Sequence, residues 1–208
     1  MSPSISPMIE EPLVYFSQWI PKRSDLHLDL ENEAQKEQIP IVGPLVGRLL
    51  YLLARLKTAR RIIELGTATG YSTLFLGQAC LHSNGRVVSL EISKALAQRA
   101  RKNIARAGLE DVVEVVCADV MEVLAAMDGQ VDMIFMDIDK ADYVRMLPDC
   151  NRLLTPGGLL VADNTGFKDA DAFNRAIHAD PRWEIVNLWA FLPGHSPEHD
   201  GICIAVKV

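Results

Sequence analysis

The sequence is poor in the residues that mark a disulfide framework or a zinc site. Its four cysteines lie far apart and form no Cys-x-x-Cys pair. Such spacing is typical of reduced thiols in the cytoplasm, so we expect a cytoplasmic location. These cysteines are Cys80, Cys117, Cys150 and Cys203.

Positive charge and long apolar runs are also scarce. The net charge is −6 and no basic stripe is visible, which argues against a nucleic-acid partner. The longest apolar runs are much too short to span a bilayer, so we expect no membrane partner. Residues 1–7 contain neither a basic nor an apolar segment, and we therefore expect no secretory signal.

The composition of the chain is typical of one globular domain. It has 208 residues, of which 49% are hydrophobic and 23% charged, enough for a large core. We expect a single domain over 1–208, made of a helical extension over 1–40 and a core over 41–208. Within the extension, apolar positions at helical spacing predict one or two helices over 10–36.

Apolar runs separated by proline and glycine predict an α/β fold. Alternation of strand and helix implies parallel βαβ units with helices on both faces of the sheet. The last two strands have only a loop between them, which favours an antiparallel pair. Predicted helices cover 45–56, 71–81, 94–107, 120–127, 143–154 and 170–179, and predicted strands cover 60–65, 87–90, 112–116, 131–136, 159–162, 183–191 and 202–208.

A glycine turn, Glu64-Leu-Gly-Thr-Ala-Thr-Gly70, follows the first predicted strand. Glycines let a ligand approach the backbone, and the next helix offers its free N–H groups, with Ser72 adding a hydroxyl. Glu91, about twenty residues beyond the turn, is placed to accept hydrogen bonds from ribose, and Asp119 from an adenine amino group. The spacing is not Gly-x-Gly-x-x-Gly, which disfavours a dinucleotide. The alternative is that Gly66 and Gly70 only form a tight turn and that Glu91 caps a helix.

Hard oxygen ligands follow the fourth and fifth predicted strands. Asp137, Asp163 and Asn164 suit Mg²⁺, Mn²⁺ or Ca²⁺ better than zinc. Strand ends of a parallel sheet line one crevice, so we expect these side chains to share a pocket with the glycine turn. The alternatives are that Asp137 or Asp139 caps the following helix and that Asp163-Asn164 makes an Asx turn. Lys140 lies about one helical turn beyond Asp137, where a bound cation would lower its pKa and make it a general base.

The last loop contains two histidines near the predicted rim of the same pocket. His195 and His199 either contact the substrate or are ordinary surface residues without a function, and the sequence leaves both alternatives open.

Four segments carry a resemblance to a known family. The chain resembles the metal-dependent class I S-adenosylmethionine-dependent O-methyltransferases, which include catechol and caffeoyl-CoA O-methyltransferases. The similarity runs from about Ile39 to the C-terminus, and the last two segments together are specific to this group. The segments are Ile-Glu-Leu-Gly-Thr-x-Thr-Gly-Tyr-Ser-Thr (63–73), Gly-Arg-Val-Val-x-Leu-Glu (85–91), Asp-x-Asp-Lys-x-x-Tyr (137–143) and Leu-x-Pro-Gly-Gly-Leu-Leu-Val-Ala-Asp-Asn (154–164).

The resemblance implies a Rossmann-like methyltransferase with a seven-stranded, mostly parallel sheet and an antiparallel C-terminal strand. It implies that Asp137, Asp163 and Asn164 hold Mg²⁺ or a similar ion, and that Lys140, with Asp137, is catalytic. The loop over 193–201 is longer than in the family pattern. Residues that fall where the family contacts S-adenosylmethionine are Val42, Glu64, Gly66, Thr67, Gly70, Ser72, Glu91, Ala118, Asp119 and Asp137.

The function implied is methyl transfer to a hydroxyl of a small catechol-like or hydroxycinnamoyl-type phenol. In such enzymes the metal chelates two vicinal oxygens and the lysine takes the proton. A homodimer is also implied. Two alternatives stay open: a non-catalytic module that binds S-adenosylmethionine, and an NAD-dependent oxidoreductase, which the absent Gly-x-Gly-x-x-Gly disfavours.

Overall fold

The computed structural model describes residues 8–208. Residues 1–7, on which the expectation about a secretory signal rests, lie outside the described part. The strands are β1 (Arg61–Leu65), β2 (Arg86–Glu91), β3 (Val113–Cys117), β4 (Val131–Met136), β5 (Leu154–Ala162), β6 (Trp183–Phe191) and β7 (His199–Lys207). They form one sheet in the order β3-β2-β1-β4-β5-β7-β6.

Helices cover both faces of this sheet. They are α1 (Pro12–Ser17), α2 (Asp25–Glu37), α3 (Gly43–Lys57), α4 (Tyr71–Cys80), α5 (Lys94–Arg106), α6 (Val120–Ala126), α7 (Tyr143–Leu153) and α8 (Asp171–Ala179). Two short 3-10 helices, Lys140–Asp142 and Lys168–Ala170, precede α7 and α8. None of the helices described over residues 8–208 is long and apolar enough to cross a membrane.

The sheet separates two hydrophobic cores. Because successive side chains of a strand point to opposite faces, Ile62 packs with α3, α4 and α5, whereas Ile63 packs with α6, α7 and α8. Both isoleucines are 1% exposed. Burial on both faces explains why the central strands are continuous apolar runs and do not alternate with polar residues.

The predicted fold class is confirmed. Strands β1 to β5 pair in parallel, and β7 lies antiparallel between β5 and β6. Every parallel strand therefore ends at the same edge of the sheet. The segments that follow β1, β2, β4 and β5 meet at this edge.

Two predicted strand starts are wrong by three residues or more, whereas the other predicted boundaries lie within two residues of those in the structure. Strand β7 begins at His199 and not at residue 202, because His199, Asp200 and Gly201 pair with the end of β6. Strand β5 begins at Leu154, which pairs with Val131 before the ladder shifts register. In both places the ladder of a neighbouring strand extends β structure through residues of low strand propensity.

The N-terminal extension divides into a packed helix and an exposed one. Helix α2 buries Leu30 and Ala34 against the core, and its acidic side chains pair with Arg99 and Arg106 of α5. Helix α2 is therefore packed on the core of its own chain. Helix α1 buries none of its residues.

Candidate active site

The turn between β1 and α4 requires glycine at two positions. Gly66 has φ 95° and Gly70 has φ 91°, which L side chains rarely adopt. A side chain at position 66 would also collide with the backbone carbonyl of Asp137. The turn is closed by a hydrogen bond of 2.8 Å from the Gly70 N–H to the Thr67 carbonyl. Glycine thus lets this turn lie directly against the end of β4.

Glu64 lies beneath the turn with no exposed surface. Thr73 and Ser89 both donate their hydroxyl protons to its Oε2. Its Oε1 is buried and has no hydrogen-bond partner in the described part of the chain. Burial raises the pKa of Glu64 to about 7, against the opposing effect of the hydroxyl donors. A buried carboxylate with one free oxygen is suited to receive a cationic or N–H group of a ligand.

Glu91 and Asp119 have structural contacts as well as a place in a cavity. Glu91 accepts 2.8 Å hydrogen bonds from the N–H groups of Ala68 and Ser93, and Asp119 caps α6 by accepting from Met121 N at 2.7 Å. The alternative that Glu91 caps a helix is wrong, because the N-cap of α5 is Ser93. Both carboxylates also line a cavity of about 310 Å³ beside the ends of β1, β2 and β4, the strand-end cavity. The two roles coexist.

A smaller cavity of about 90 Å³, the turn cavity, lies over the glycine turn. Val42, Thr67 and Ser72 contribute to its wall. The turn cavity and the strand-end cavity share Gly66, Glu91 and Asp137. Two cavities on either side of the turn therefore meet at Asp137.

Some predicted contact residues do not line these two cavities. Glu64 lies below the turn, and Gly70 is the N-cap of α4. Ala118 donates its N–H to the Glu91 carbonyl at 3.1 Å. In this structure these three residues support the walls.

Asp137 forms an ion pair with Lys140, whose Nζ lies 3.0 Å from Asp137 Oδ1. Burial and the charge of Asp163 raise the pKa of Asp137, and Lys140 opposes this effect. Lys140 begins a 3-10 helix capped by Asp139, which accepts from Ala141 N at 3.1 Å. The capping alternative is right for Asp139, whereas Asp137 and Lys140 face each other.

Asp163 is buried against His195. The His195 Nε2 lies 3.0 Å from Asp163 Oδ1 and 2.9 Å from Oδ2, and both side chains are 1% exposed. Burial is the largest single effect and lowers the pKa of His195. The hydrogen bond to Asp163, the charges of Asp163 and Asp200, and the contact with the Pro197 carbonyl together outweigh it, and the pKa is raised. The other ring nitrogen contacts the Pro197 carbonyl. His195 thus belongs to the cluster at the strand ends.

His199 does not join this cluster. It lies in β7 and not in the loop, and its ring packs against Phe191 with centroids 5.1 Å apart. The expectation that His199 lies in the loop is therefore wrong.

Asn164 occupies the left-handed region, with φ 51°. Its Nδ2 donates to Asp200 Oδ2 at 2.7 Å, while its Oδ1 has no donor among residues 8–208. Asp200 is only 1% exposed. No local pattern indicates this contact, because Asp200-Gly201 is typical of a turn and the partners are 36 residues apart.

The donor set fits a hard divalent cation. Two carboxylates, Asp137 and Asp163, are close enough for the charge of one to raise the pKa of the other, which a cation would relieve. The free Oδ1 of Asn164 adds a neutral oxygen. No group of three or more His, Cys, Asp or Glu side chains over residues 8–208 is arranged to hold a metal. A cation here would therefore need the amide oxygen as its third protein ligand.

A further cavity of about 570 Å³ lies between α2 and the loop that contains His195. We call it the α2 cavity. It shares Pro40 and Ile41 with the turn cavity. The apolar part of its wall comes from Ala34, Ile39, Pro40 and Ile41, and polar groups come from Glu31, Gln35, Gln38, His195 and Ser196. A concave, mostly apolar site with a few polar groups is typical of small-molecule binding.

Comparison with known proteins agrees with this architecture. The O-methyltransferase family model matches residues 27–207. A catechol O-methyltransferase of Niastella koreensis is 38% identical over 156 residues, covering 72% of this chain and 70% of the relative. Caffeoyl-CoA O-methyltransferase 2 of Populus trichocarpa is 29% identical over 188 residues, covering 78% of this chain and 72% of the relative.

Solved structures of O-methyltransferases also superpose closely on this chain. The O-methyltransferase of Bacillus cereus, in complex with SAH, superposes with a TM-score of 0.83 at 30% identity, covering 94% of this chain and 96% of the other. The O-methyltransferase TomG of Streptomyces achromogenes, in complex with SAM, superposes with a TM-score of 0.82 at 26% identity, covering 97% of this chain and 100% of the other. The chain belongs to the O-methyltransferase family. It is an S-adenosylmethionine-dependent transferase.

Proposed function

We propose that this enzyme moves the methyl group of S-adenosylmethionine to one hydroxyl of a small catechol-like or hydroxycinnamoyl-type phenol, with a divalent cation and with Lys140 as base. One observation carries the proposal: the glycine turn, the carboxylates and the lysine all meet around Asp137. Positioning and charge stabilisation at one point are what an in-line methyl transfer needs.

The cofactor would occupy the strand-end and turn cavities. Glu91 and Asp119, which line the strand-end cavity, would contact the ribose and adenine ends, and Gly66 would allow the cofactor to approach the backbone closely. The free buried oxygen of Glu64 suits the ammonium group at the other end of the ligand. We assign further contacts with S-adenosylmethionine to Val42, Thr67, Gly70, Ser72, Ala118 and Asp137.

Asp137, Asp163 and Asn164 would hold Mg²⁺, Mn²⁺ or Ca²⁺. When bound, such an ion chelates vicinal oxygens and lowers the pKa of the attacking hydroxyl. Lys140 Nζ, beside Asp137 at 3.0 Å, is placed to accept the proton of that hydroxyl. Buried surroundings at Asp163 strengthen these charge interactions by excluding water.

The acceptor would bind in the α2 cavity. Its wall includes His195, which contacts Asp163, and it shares Ile41 with the turn cavity. A phenol there has its hydroxyls near the strand ends and its ring against the apolar wall. Catechol and caffeoyl-CoA, the acceptors in the names of the relatives, are the two classes to compare.

A methyl-transfer assay tests the proposal. Catechol, caffeate and caffeoyl-CoA are each incubated with methyl-labelled S-adenosylmethionine, in Mg²⁺ and in EDTA. We expect labelled product from at least one acceptor and loss of product in EDTA. Tight cofactor binding without transfer to any vicinal diol would instead favour a non-catalytic module.

We also infer a homodimer and a cytoplasmic location. Helix α1 exposes 57% of Phe16 and the segment after it exposes 64% of Trp19, an apolar surface that a second copy could cover. Cys117, an exposed free thiol, is suited to a reducing compartment. Sedimentation at micromolar concentration tests the dimer, and cell fractionation tests the location.

A further inference from the structure

One buried carboxylate holds the turn after β5 against the start of β7. Asp200 Oδ2 accepts from Asn164 Nδ2 at 2.7 Å, and Asp200 Oδ1 accepts from the N–H groups of Gly166 at 3.1 Å and Gly201 at 2.6 Å. Asp200 is 1% exposed, and Asn164 is 6% exposed. Hydrogen bonds to a buried, ionised acceptor are stronger than those between neutral groups.

Backbone contacts fix the position of this carboxylate. A Cβ at Gly166 would lie 2.6 Å from Asp200 Oδ1, and a Cβ at Gly201 would lie 2.8 Å from Gly166 N. Thr165 N donates to the Gly201 carbonyl at 2.8 Å. The two segments approach this closely only because both positions are glycine. Asp200 is therefore a rigid partner for Asn164.

The chemistry of Asp200 decides which way the Asn164 amide faces. An ionised carboxylate only accepts hydrogen bonds, so the NH₂ group of the amide must face it. The Ser196 carbonyl, 3.5 Å from Nδ2, is also an acceptor. The Asn164 Oδ1 must then point away from Asp200, and it has no donor in the described part of the chain. A flipped amide would offer N–H protons at that place, and these cannot bind a cation.

We propose that Asp200 is a positioning residue of the metal site, which sets the Asn164 amide so that its oxygen is available to the cation. The inference rests on the metal site of the proposed function. Groups that orient metal ligands are typically worth about 10–100-fold in metal affinity.

Asp200→Asn is the informative variant. Its amide oxygen can replace Oδ1 and keep both backbone N–H bonds, but its NH₂ group would face the NH₂ group of Asn164. Flipping the Asn164 amide removes this clash and turns an NH₂ group toward the cation. We expect Mn²⁺ to bind about 10–100-fold more weakly, as measured by titration calorimetry or by the Mn²⁺ paramagnetic resonance signal. S-adenosylhomocysteine should bind as in the wild type.

An exchange of the two side chains separates orientation from stability. In the double variant Asn164→Asp with Asp200→Asn, the new amide donates to the new carboxylate, and an oxygen again faces the cation. Mn²⁺ affinity should recover most of its loss. Asp132→Asn is the matched control: Asp132 also accepts two backbone N–H groups, of Arg60 and Arg61 at 2.7 and 2.9 Å, but near the start of β1. It should leave Mn²⁺ binding unchanged.

Two results would overturn the inference. One is wild-type Mn²⁺ affinity in an Asp200→Asn protein that still binds S-adenosylhomocysteine. The other is a folded exchange variant that binds Mn²⁺ no better than Asp200→Asn does. If Asp200→Asn does not fold, the exchange variant is compared with the wild type instead, and a folded exchange variant that binds Mn²⁺ more than about 100-fold more weakly than the wild type would overturn the inference. Absence of Mn²⁺ binding to the wild type is a different result, which would remove the proposed metal site itself.

Discussion

The pH dependence of stability should identify Glu64 as an acid held neutral by burial. Its folded pKa is raised from 4.5 to about 7, so its contribution to stability is fully present below pH 4.5 and is lost as the pH rises through 7. One pKa unit corresponds to about 1.4 kcal/mol, and the loss is therefore about 3 kcal/mol. Glu64→Gln keeps the shape of the side chain and removes the titration.

Urea denaturation without cofactor, at pH values from 5 to 8, measures this effect. Each free energy of unfolding is compared between the wild type and Glu64→Gln, since titrations common to both proteins cancel. Relative to the variant, the wild type should lose about 2.5 kcal/mol across this range, because the remainder of the loss falls below pH 5. Glu114→Gln, which changes an exposed carboxylate on β3, is the control for the substitution itself. A difference between the wild type and Glu64→Gln that stays constant with pH would refute the reasoning.

Three further predictions concern the cofactor and the assembly. Gly66→Ala should destabilise the protein by more than about 1 kcal/mol and weaken S-adenosylmethionine binding, because φ is 95° and the new methyl meets the Asp137 carbonyl; unchanged calorimetric affinity would contradict this. S-adenosylmethionine, but not NAD, should raise the thermal midpoint, with about 2.7 kcal/mol of stabilisation at one hundred times its Kd; an unmoved midpoint would argue against the cofactor site. Sedimentation should show a dimer that Trp19→Ser weakens, whereas a wild-type monomer at micromolar concentration would exclude it.

Periodicity and strand-end residues predicted most of the fold and the centre of the site. Apolar runs ending in Glu64, Asp137 and Asp163 placed three chemical groups at one edge, because parallel strands end together. Local pattern also favoured a loop for His199 and Asp200. There the ladder with β6 decides, and ladder pairing depends on residues far along the chain.

Contacts between distant segments could not be predicted from local pattern. Asp200 meets Asn164, and His195 meets Asp163, through a loop whose path depends on the packing of β7 between β5 and β6. A histidine in a polar loop is typical of a surface residue, yet the His195 side chain is 1% exposed. Burial of polar groups is set by the whole fold, and the sequence near them shows little of it.

Methyl transfer to a catechol by matched lysine variants tests the central claim most directly. The wild type, Lys140→Ala and Lys168→Ala are assayed in Mg²⁺, in EDTA, and after Mg²⁺ is restored; Lys168 is an exposed lysine of the 3-10 helix before α8. We predict that Lys140→Ala lowers kcat by about 10²–10⁴ with S-adenosylmethionine affinity unchanged, that Lys168→Ala has little effect, and that EDTA abolishes activity reversibly. Full activity in EDTA, or a Lys140→Ala enzyme as fast as the wild type, would contradict the proposed mechanism.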